Sequence, residues 1–148
     1  MGSLRIAVGS DHGGFEQKEI IAKRLTAEGC EVTDFGCSST ESVDYPDYAA
    51  PVAQAVARGD ADFGILVCGT GIGMMLAANK VKGIRAANVT SVEFAHLARE
   101  HNNANVVTLS GRFVDPELNW QIVQEFIKTE FAGGRHERRV AKIMALED

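Results

Sequence analysis

Apolar residues along the chain follow two alternating rhythms. Residues 4–8, 31–35, 63–68, 86–89 and 105–109 form short apolar or alternating runs of strand length. Between them apolar positions recur every three or four residues, as on one face of a helix. The first helical stretch, residues 15–28, carries Ile20, Ile21 and Leu25 on one side and stops at Gly29. The second has Pro46 in its first turn and Asp44 as the candidate cap. It should bury Ala49, Val52, Ala53 and Val56 and end at Gly59. A glycine loop and a short helix to Lys80 follow the run 63–68. Thr90 and Glu93 have the spacing of a capping box for a helix ending near Glu100. Asp115-Pro116 opens a helix to Thr129, and Gly133-Gly134 breaks the chain before a last helix over residues 135–146. Val140, Ile143, Met144 and Leu146 make an apolar stripe on that helix.

Strand–helix alternation with short connections predicts an α/β fold. Five parallel strands would lie between two helical layers, with Phe63–Cys68, the most apolar run, at the centre. Ligands of such sheets bind beyond the carboxyl ends of the strands. The residues that follow Val8, Val67, Val89 and Leu109 are therefore the place to look for chemistry.

Composition narrows the function classes. A chain of 148 residues is expected to be one domain with a full core. A net charge of −5 argues against nucleic acid as partner. The longest apolar stretches, such as Ile65-Leu66-Val67-Cys68, are too short to span a membrane. Residues 1–5 lack the apolar core of an export signal. Three cysteines, an odd number, read as reduced thiols of a cytoplasmic protein. Fifteen glycines against three prolines suggest tight turns that approach a ligand.

Three of the four strand ends carry unusual residues. Gly9-Ser10-Asp11-His12-Gly13-Gly14 follows the first strand and lacks the glycine spacing of a dinucleotide fingerprint. Asp11 can be a helix cap and His12 a turn residue, or the pair can meet a ligand. Cys68-Gly69-Thr70-Gly71-Ile72-Gly73 follows the third run; its amides can converge on an oxyanion. The loop lacks the Gly-Lys-Ser/Thr ending of a Walker loop. Cys68 is either a small buried hydrophobe or a thiol facing amide donors and a helix start, a setting that favours thiolate. Cys30 and Cys37 read as buried hydrophobes. His101-Asn102-Asn103 can cap a helix or supply a proton-transfer imidazole with an orienting amide. His96 reads as a residue of a solvated helix face. Ser110-Gly111-Arg112 ends the fifth run. The last helix opens with Arg135-His136-Glu137-Arg138-Arg139, a basic cluster in an acidic chain. Arg135 and Arg139 are one turn apart, and such a pair fits phosphate. The alternative is a solvated basic face. No His/Cys/Asp/Glu cluster has metal-ligand spacing, so no metal or other cofactor is expected.

Together these segments resemble the type B ribose-5-phosphate isomerases, the family that also contains galactose-6-phosphate and allose-6-phosphate isomerases. The matching stretches are the six residues from Gly9, Asp44-Tyr45-Pro46-Asp47-Tyr48-Ala49, the six from Cys68, Ala77-Ala78-Asn79-Lys80, His101-Asn102-Asn103, Ser110-Gly111-Arg112 and Gly133-Gly134-Arg135-His136. They cover nearly the whole chain. The resemblance implies a Rossmann-like αβα sandwich that forms a homodimer or homotetramer, with active sites between subunits. It implies an aldose–ketose isomerase of the pentose phosphate pathway, acting on a sugar phosphate through an enediolate. It assigns the base to Cys68 and ring opening to His101, with Thr70 at the ring oxygen. Relatives with a glutamate base carry it six positions on, where this chain has Met74. The amides of Gly69, Gly71, Ile72 and Gly73 would hold the enediolate oxygen. Asp11, Tyr45 and Asn102 would position hydroxyls. His12, Arg112, Arg135, His136 and Arg139 would surround the phosphate. A hexose-6-phosphate isomerase of the same family, or a non-catalytic phospho-ligand binder on the same fold, are the rival readings.

Overall fold

A computed structural model describes residues 4–147; most of the segment read as lacking an export signal, residues 1–3, lies outside them. The strands are β1 (Arg5–Ser10), β2 (Glu31–Asp34), β3 (Phe63–Cys68), β4 (Ala86–Asn88) and β5 (Val106–Ser110). All four pairings are parallel, in the order β2-β1-β3-β5-β4. β3 lies at the centre, as its apolar content requires. The short, partly exposed β2 and β4 form the edges. This is the α/β architecture expected from the alternation.

Period-two alternation sorts the strand residues into two apolar layers. Ile6, Val8, Ile65, Val67, Val107 and Leu109 face one side. They pack with α1 (Phe15–Ala27), α4 (Val92–Glu100) and α5 (Pro116–Lys128) through Ile21, Leu25, Ala95, Ala98, Trp120, Val123 and Phe126. Ala7, Leu66, Cys68 and Val106 face the other side. Their partners are Ala49, Val52, Ala53 and Val56 of α2 (Pro46–Ala57) and Met74 and Ala78 of α3 (Ile72–Ala78). Among the described residues no helix is long and apolar enough to cross a membrane.

Several local expectations need correction. Ile20 is exposed, because the buried stripe of α1 runs through Gln17, Lys18, Ile21 and Leu25. The cap of α4 is Ser91, whose hydroxyl accepts from Phe94 N; the helix starts one residue later than a Thr90–Glu93 box requires. Asp44 does not cap α2 with its carboxylate. Its carbonyl accepts from Asp47 N, and Tyr45, already helical, takes the cap position. Asp115 caps α5 as expected, accepting from Leu118 N.

The last helix, α6 (Arg135–Met144), stops short of the expected 146. Of its apolar stripe only Val140 is buried, while Ile143 is 46% and Leu146 83% exposed. The reason is that α6 belongs to neither core layer. It lies outside them, tethered by Gly83 N to Glu147 Oε2 at 2.9 Å and Arg85 Nη1 to Met144 Sδ at 3.3 Å.

His96 is not simply a solvated face residue. Its Nδ1 lies 2.8 Å from Glu125 Oε2, joining α4 to α5. That hydrogen bond raises the His96 pKa above 6.5 and lowers the Glu125 pKa below 4.5. Glu125 contributes fully above 4.5 and loses its share as pH falls through its lowered pKa. His96 contributes fully below 6.5 and loses its share as pH rises through its raised pKa. Thermal melts should therefore show His96→Gln lowering Tm most between those two values and least in alkali. A pH-independent difference would contradict the pairing.

Candidate active site

Three loops meet at the carboxyl ends of β1, β3 and β5, backbone against backbone. Asp11 N donates to Val67 O at 3.2 Å and Gly111 N to Cys68 O at 2.8 Å. Arg112 N donates to Gly69 O at 3.1 Å. Ser110 Oγ donates to the same carbonyl at 2.7 Å and accepts from Phe113 N at 2.9 Å. At Gly14 and Gly71 there is no room for a side chain. A Cβ on Gly14 would overlap the Val67 carbonyl. Gly71, with φ +85°, turns the chain into α3 and faces Asn88 Oδ1 so closely that a Cβ would overlap it.

Cys68 stands at the centre of this junction. It is 4% exposed, and its Sγ accepts from Gly71 N at 3.1 Å. The sulfur thus faces the glycine turn, with more cover than a residue at an open mouth would have. Thr70 is exposed and its Oγ1 accepts from Ile72 N at 3.1 Å. Among the described residues the amides of Thr70 and Gly73 meet no acceptor, which leaves donors for an incoming oxygen.

Four other expected residues lie around that loop. Asp11 Oδ1 accepts from Gly13 N at 2.9 Å and Gly14 N at 3.2 Å, a capping arrangement ahead of α1. His12 Nδ1 accepts from Val43 N at 3.1 Å, which puts the proton of the neutral ring on Nε2. The Tyr45 ring covers Gly73, where a Cβ would come within 2.6 Å of it. The Arg112 guanidinium lies over Gly69, 3.3 Å from the corresponding Cβ position. Ile72 is half-exposed beside them.

The remaining expected residues form a second group elsewhere. His101 is the C-cap of α4, at the opposite end of β5 from Ser110, the register partner of Cys68. The five residues of β5 alone separate the two ends by about 13 Å. The His101 ring stacks on His136 with centroids 4.2 Å apart and an interplanar angle of 11°. Burial, then the nearby His101, Arg135 and Arg139, hold the His136 pKa below 6.5. Arg135 and Arg139 are exposed on α6 and Asn102 is exposed beside His101. Asn103, by contrast, is structural: φ is +49° and its Oδ1 accepts from Arg99 Nη1 at 2.9 Å.

Polar braces that the sequence reading overlooked hold the first group in place. Gln17 Nε2 donates to Gly111 O at 3.0 Å and Val114 O at 2.8 Å, fixing the Arg112 loop. Asn119 Nδ2 donates to Gln17 Oε1 and Ser110 O. Lys18, 2% exposed, donates to both Asp34 oxygens and to Cys37 O at 2.7 Å. It anchors the loop that leads to Tyr45. The available signal was a polar residue at a buried helical position, visible only once the helix faces are known. Cys30 and Cys37 are buried free thiols, as expected. The chemistry this junction offers is proton transfer by a thiol beside amide donors, with a guanidinium at hand for an anion.

Comparison with known proteins places the chain's relatives among sugar-phosphate isomerases. A family model described as Ribose/Galactose Isomerase matches residues 6–143. The ribose-5-phosphate isomerase B of Escherichia coli is 47% identical over 143 residues, 97% of this chain and 96% of that protein. The solved ribose-5-phosphate isomerase B of Clostridium thermocellum superposes with a TM-score of 0.96 at 51% identity, covering 97% of each chain. The Mycoplasma genitalium ribose-5-phosphate isomerase B, solved with bound ribulose 5-phosphate, gives 0.94 at 48% identity, covering 99% of this chain and 97% of that one.

The backbone-to-backbone junction has a direct stability consequence. Gly14→Ala should cost about 2 kcal/mol, because Val67 and the start of α1 must move apart. Urea denaturation measures it, and an unchanged midpoint would refute the tight junction.

Proposed function

The chain belongs to the ribose/galactose isomerase family, and from that membership we propose that it interconverts D-ribose 5-phosphate and D-ribulose 5-phosphate. The observation that carries this reading is the Cys68 thiol turned toward the amide of its own glycine loop. Aldose–ketose conversion moves a proton between C2 and C1 through an enediolate. Cys68 takes the proton from one carbon and returns it to the other. The amides of Gly69, Gly71, Ile72 and Gly73 line the loop where oxygen charge develops, a placement that lowers the barrier more than it tightens ground-state binding. The Gly71 amide is shared with the thiol and holds it while both are occupied.

His101 opens the furanose ring, and Thr70 holds the ring oxygen. Asp11, Tyr45 and Asn102 position sugar hydroxyls. His12, Arg112, Arg135, His136 and Arg139 surround the phosphate. The separation of Cys68 from His101 within one chain supports a site shared between two copies, with His101, Asn102, Arg135, His136 and Arg139 coming from the partner. A homodimer supplies two such sites, and a homotetramer four. The half-exposed Tyr45 and Ile72 near the glycine loop, and the exposed Phe94, Ile143 and Leu146 near the other group, offer apolar surface for that contact.

The reading includes one domain, no cofactor, a place in the pentose phosphate pathway and a cytoplasmic location, which the three free thiols support. A pentose phosphate is favoured over a hexose phosphate by the relatives' activity and by the cysteine at position 68.

Cys68→Ala should lower isomerase turnover by about a thousandfold or more, while ribose 5-phosphate still binds. Coupled kinetics and calorimetry on the two proteins test this, with galactose 6-phosphate and allose 6-phosphate assayed alongside. Unchanged turnover would remove the thiol from the mechanism, and faster turnover of a hexose phosphate would overturn the substrate.

A further inference from the structure

The imidazole of His101 has a carboxylate on one side and an aromatic ring on its face. Glu100 Oε1 lies 3.4 Å from His101 Nε2, and His136 stacks on the ring at 4.2 Å. The other Glu100 oxygen, Oε2, lies 3.2 Å from His96 Nε2, one turn earlier on α4. His96 in turn is tied through Nδ1 to Glu125 at 2.8 Å, and Glu125 lies 3.2 Å from Lys128 Nζ and 3.1 Å from Thr129 Oγ1. A chain of alternating imidazoles and carboxylates therefore runs from α5 to the end of α4. Behind it, Arg99 Nε donates to Thr129 O and Nη1 to Asn103 Oδ1 and Ala104 O, so the turn that carries His101 is fixed to α5.

This arrangement does two things for the imidazole. A helix C-terminus leaves a side chain free to swing; here the Glu100 carboxylate 3.4 Å from Nε2 and the stacked His136 ring restrict the direction of Nε2 and the plane of the ring. With Nε2 turned to the carboxylate, Nδ1 is the nitrogen left for a ligand, and among the described residues it has no partner. Glu100 itself is held from behind by His96, so the direction is set by α5 and not by one flexible side chain.

We propose that Glu100, anchored by His96, is the positioning residue that aims His101 at the sugar ring. The inference rests on His101 being the ring-opening group. Ring opening breaks the bond between C1 and the ring oxygen, puts a proton on that oxygen and removes one from the C1 hydroxyl. An imidazole held at a fixed angle can hand a proton to one oxygen and accept one from the other. Proton abstraction at carbon, by contrast, needs Cys68, the amide donors of its loop and an open chain, but no ring opening. Ribulose 5-phosphate cannot close a furanose, because its 5-hydroxyl carries the phosphate. Its C1 hydrogen therefore exchanges with solvent without His101.

The two steps can be read separately by proton NMR in deuterium oxide. Wild type, Glu100→Gln and His96→Asn are each given ribose 5-phosphate, to follow turnover, and ribulose 5-phosphate, to follow deuterium entering C1. Glu100→Gln should lower aldose turnover about tenfold and change C1 exchange by less than about twofold. His96→Asn should show the same selectivity with a smaller loss. Equal loss of both rates in Glu100→Gln would make the residue merely structural, and no loss of either would leave it without a role. Both results overturn the proposal. A wild type that neither turns over nor exchanges would instead sink the isomerase reading itself.

Discussion

A parallel strand–helix–strand unit sends its chain to one pole of the sheet along the strand and back to the other along the helix. Cys68 ends a strand and His101 ends a helix, so the two groups stand at opposite poles of the same sheet. No loop movement within one chain closes a gap set by the length of β5 itself. Everything proposed about catalysis depends on this separation. Either the two groups serve different purposes, or a second copy brings one to the other. The position of α6 favours the second reading. It stands outside both core layers, with basic side chains and apolar residues unburied, as an element made to meet another surface would.

At the strand-end pole, the constraint is close packing without side chains. The three loops can touch only because glycine stands at their contacts. The carbonyls of Val67, Cys68 and Gly69 accept from amides of the other two loops, while the amides of Thr70 and Gly73 meet no acceptor among the described residues. A thiol in that setting has a donor on one side and belongs to the apolar layer that includes Leu66 and Met74. The braces behind it are long polar side chains buried in helices, Gln17, Lys18 and Asn119. Buried polar groups of this kind are costly unless fully partnered. Their donors are all met, by loop carbonyls, the Asp34 carboxylate and the Gln17 amide oxygen, while Asn119 Oδ1 is left without a partner among the described residues; their effect is to fix loop shape.

The helical layers, the central strand and the glycine loops at the strand ends were legible in the sequence, because strand runs and glycine spacing are local signals. Residues 63–68 form a continuous apolar run, as a strand covered on both faces requires. Errors came where a one-residue offset decides the geometry. Ser91 and Thr90 are both plausible caps, and only the helix start discriminates them. Ile20 fits a helical stripe as well as Lys18 does; burial of the charged residue follows from Asp34 and the Cys37 carbonyl, distant partners that no local pattern reveals. The family resemblance supplied the set of site residues but could not say that they fall into two groups. His96 passed as a residue of a solvated helix face and Glu100 only as a helix end, since their contacts with Glu125 on another helix and with His101 beside the His136 stack are not local in sequence.

The central claim is that Cys68 of one copy works with His101 of another, and mixing two inactive variants tests it most directly. Cys68→Ala and His101→Ala proteins are denatured together, refolded together and assayed with ribose 5-phosphate. In a mixed pair one site has neither group and the other has both. Random pairing should therefore restore about a quarter of wild-type activity if the assembly is a twofold dimer. Activity that stays at the level of the separate variants, although mixed pairs have formed, would contradict a shared site.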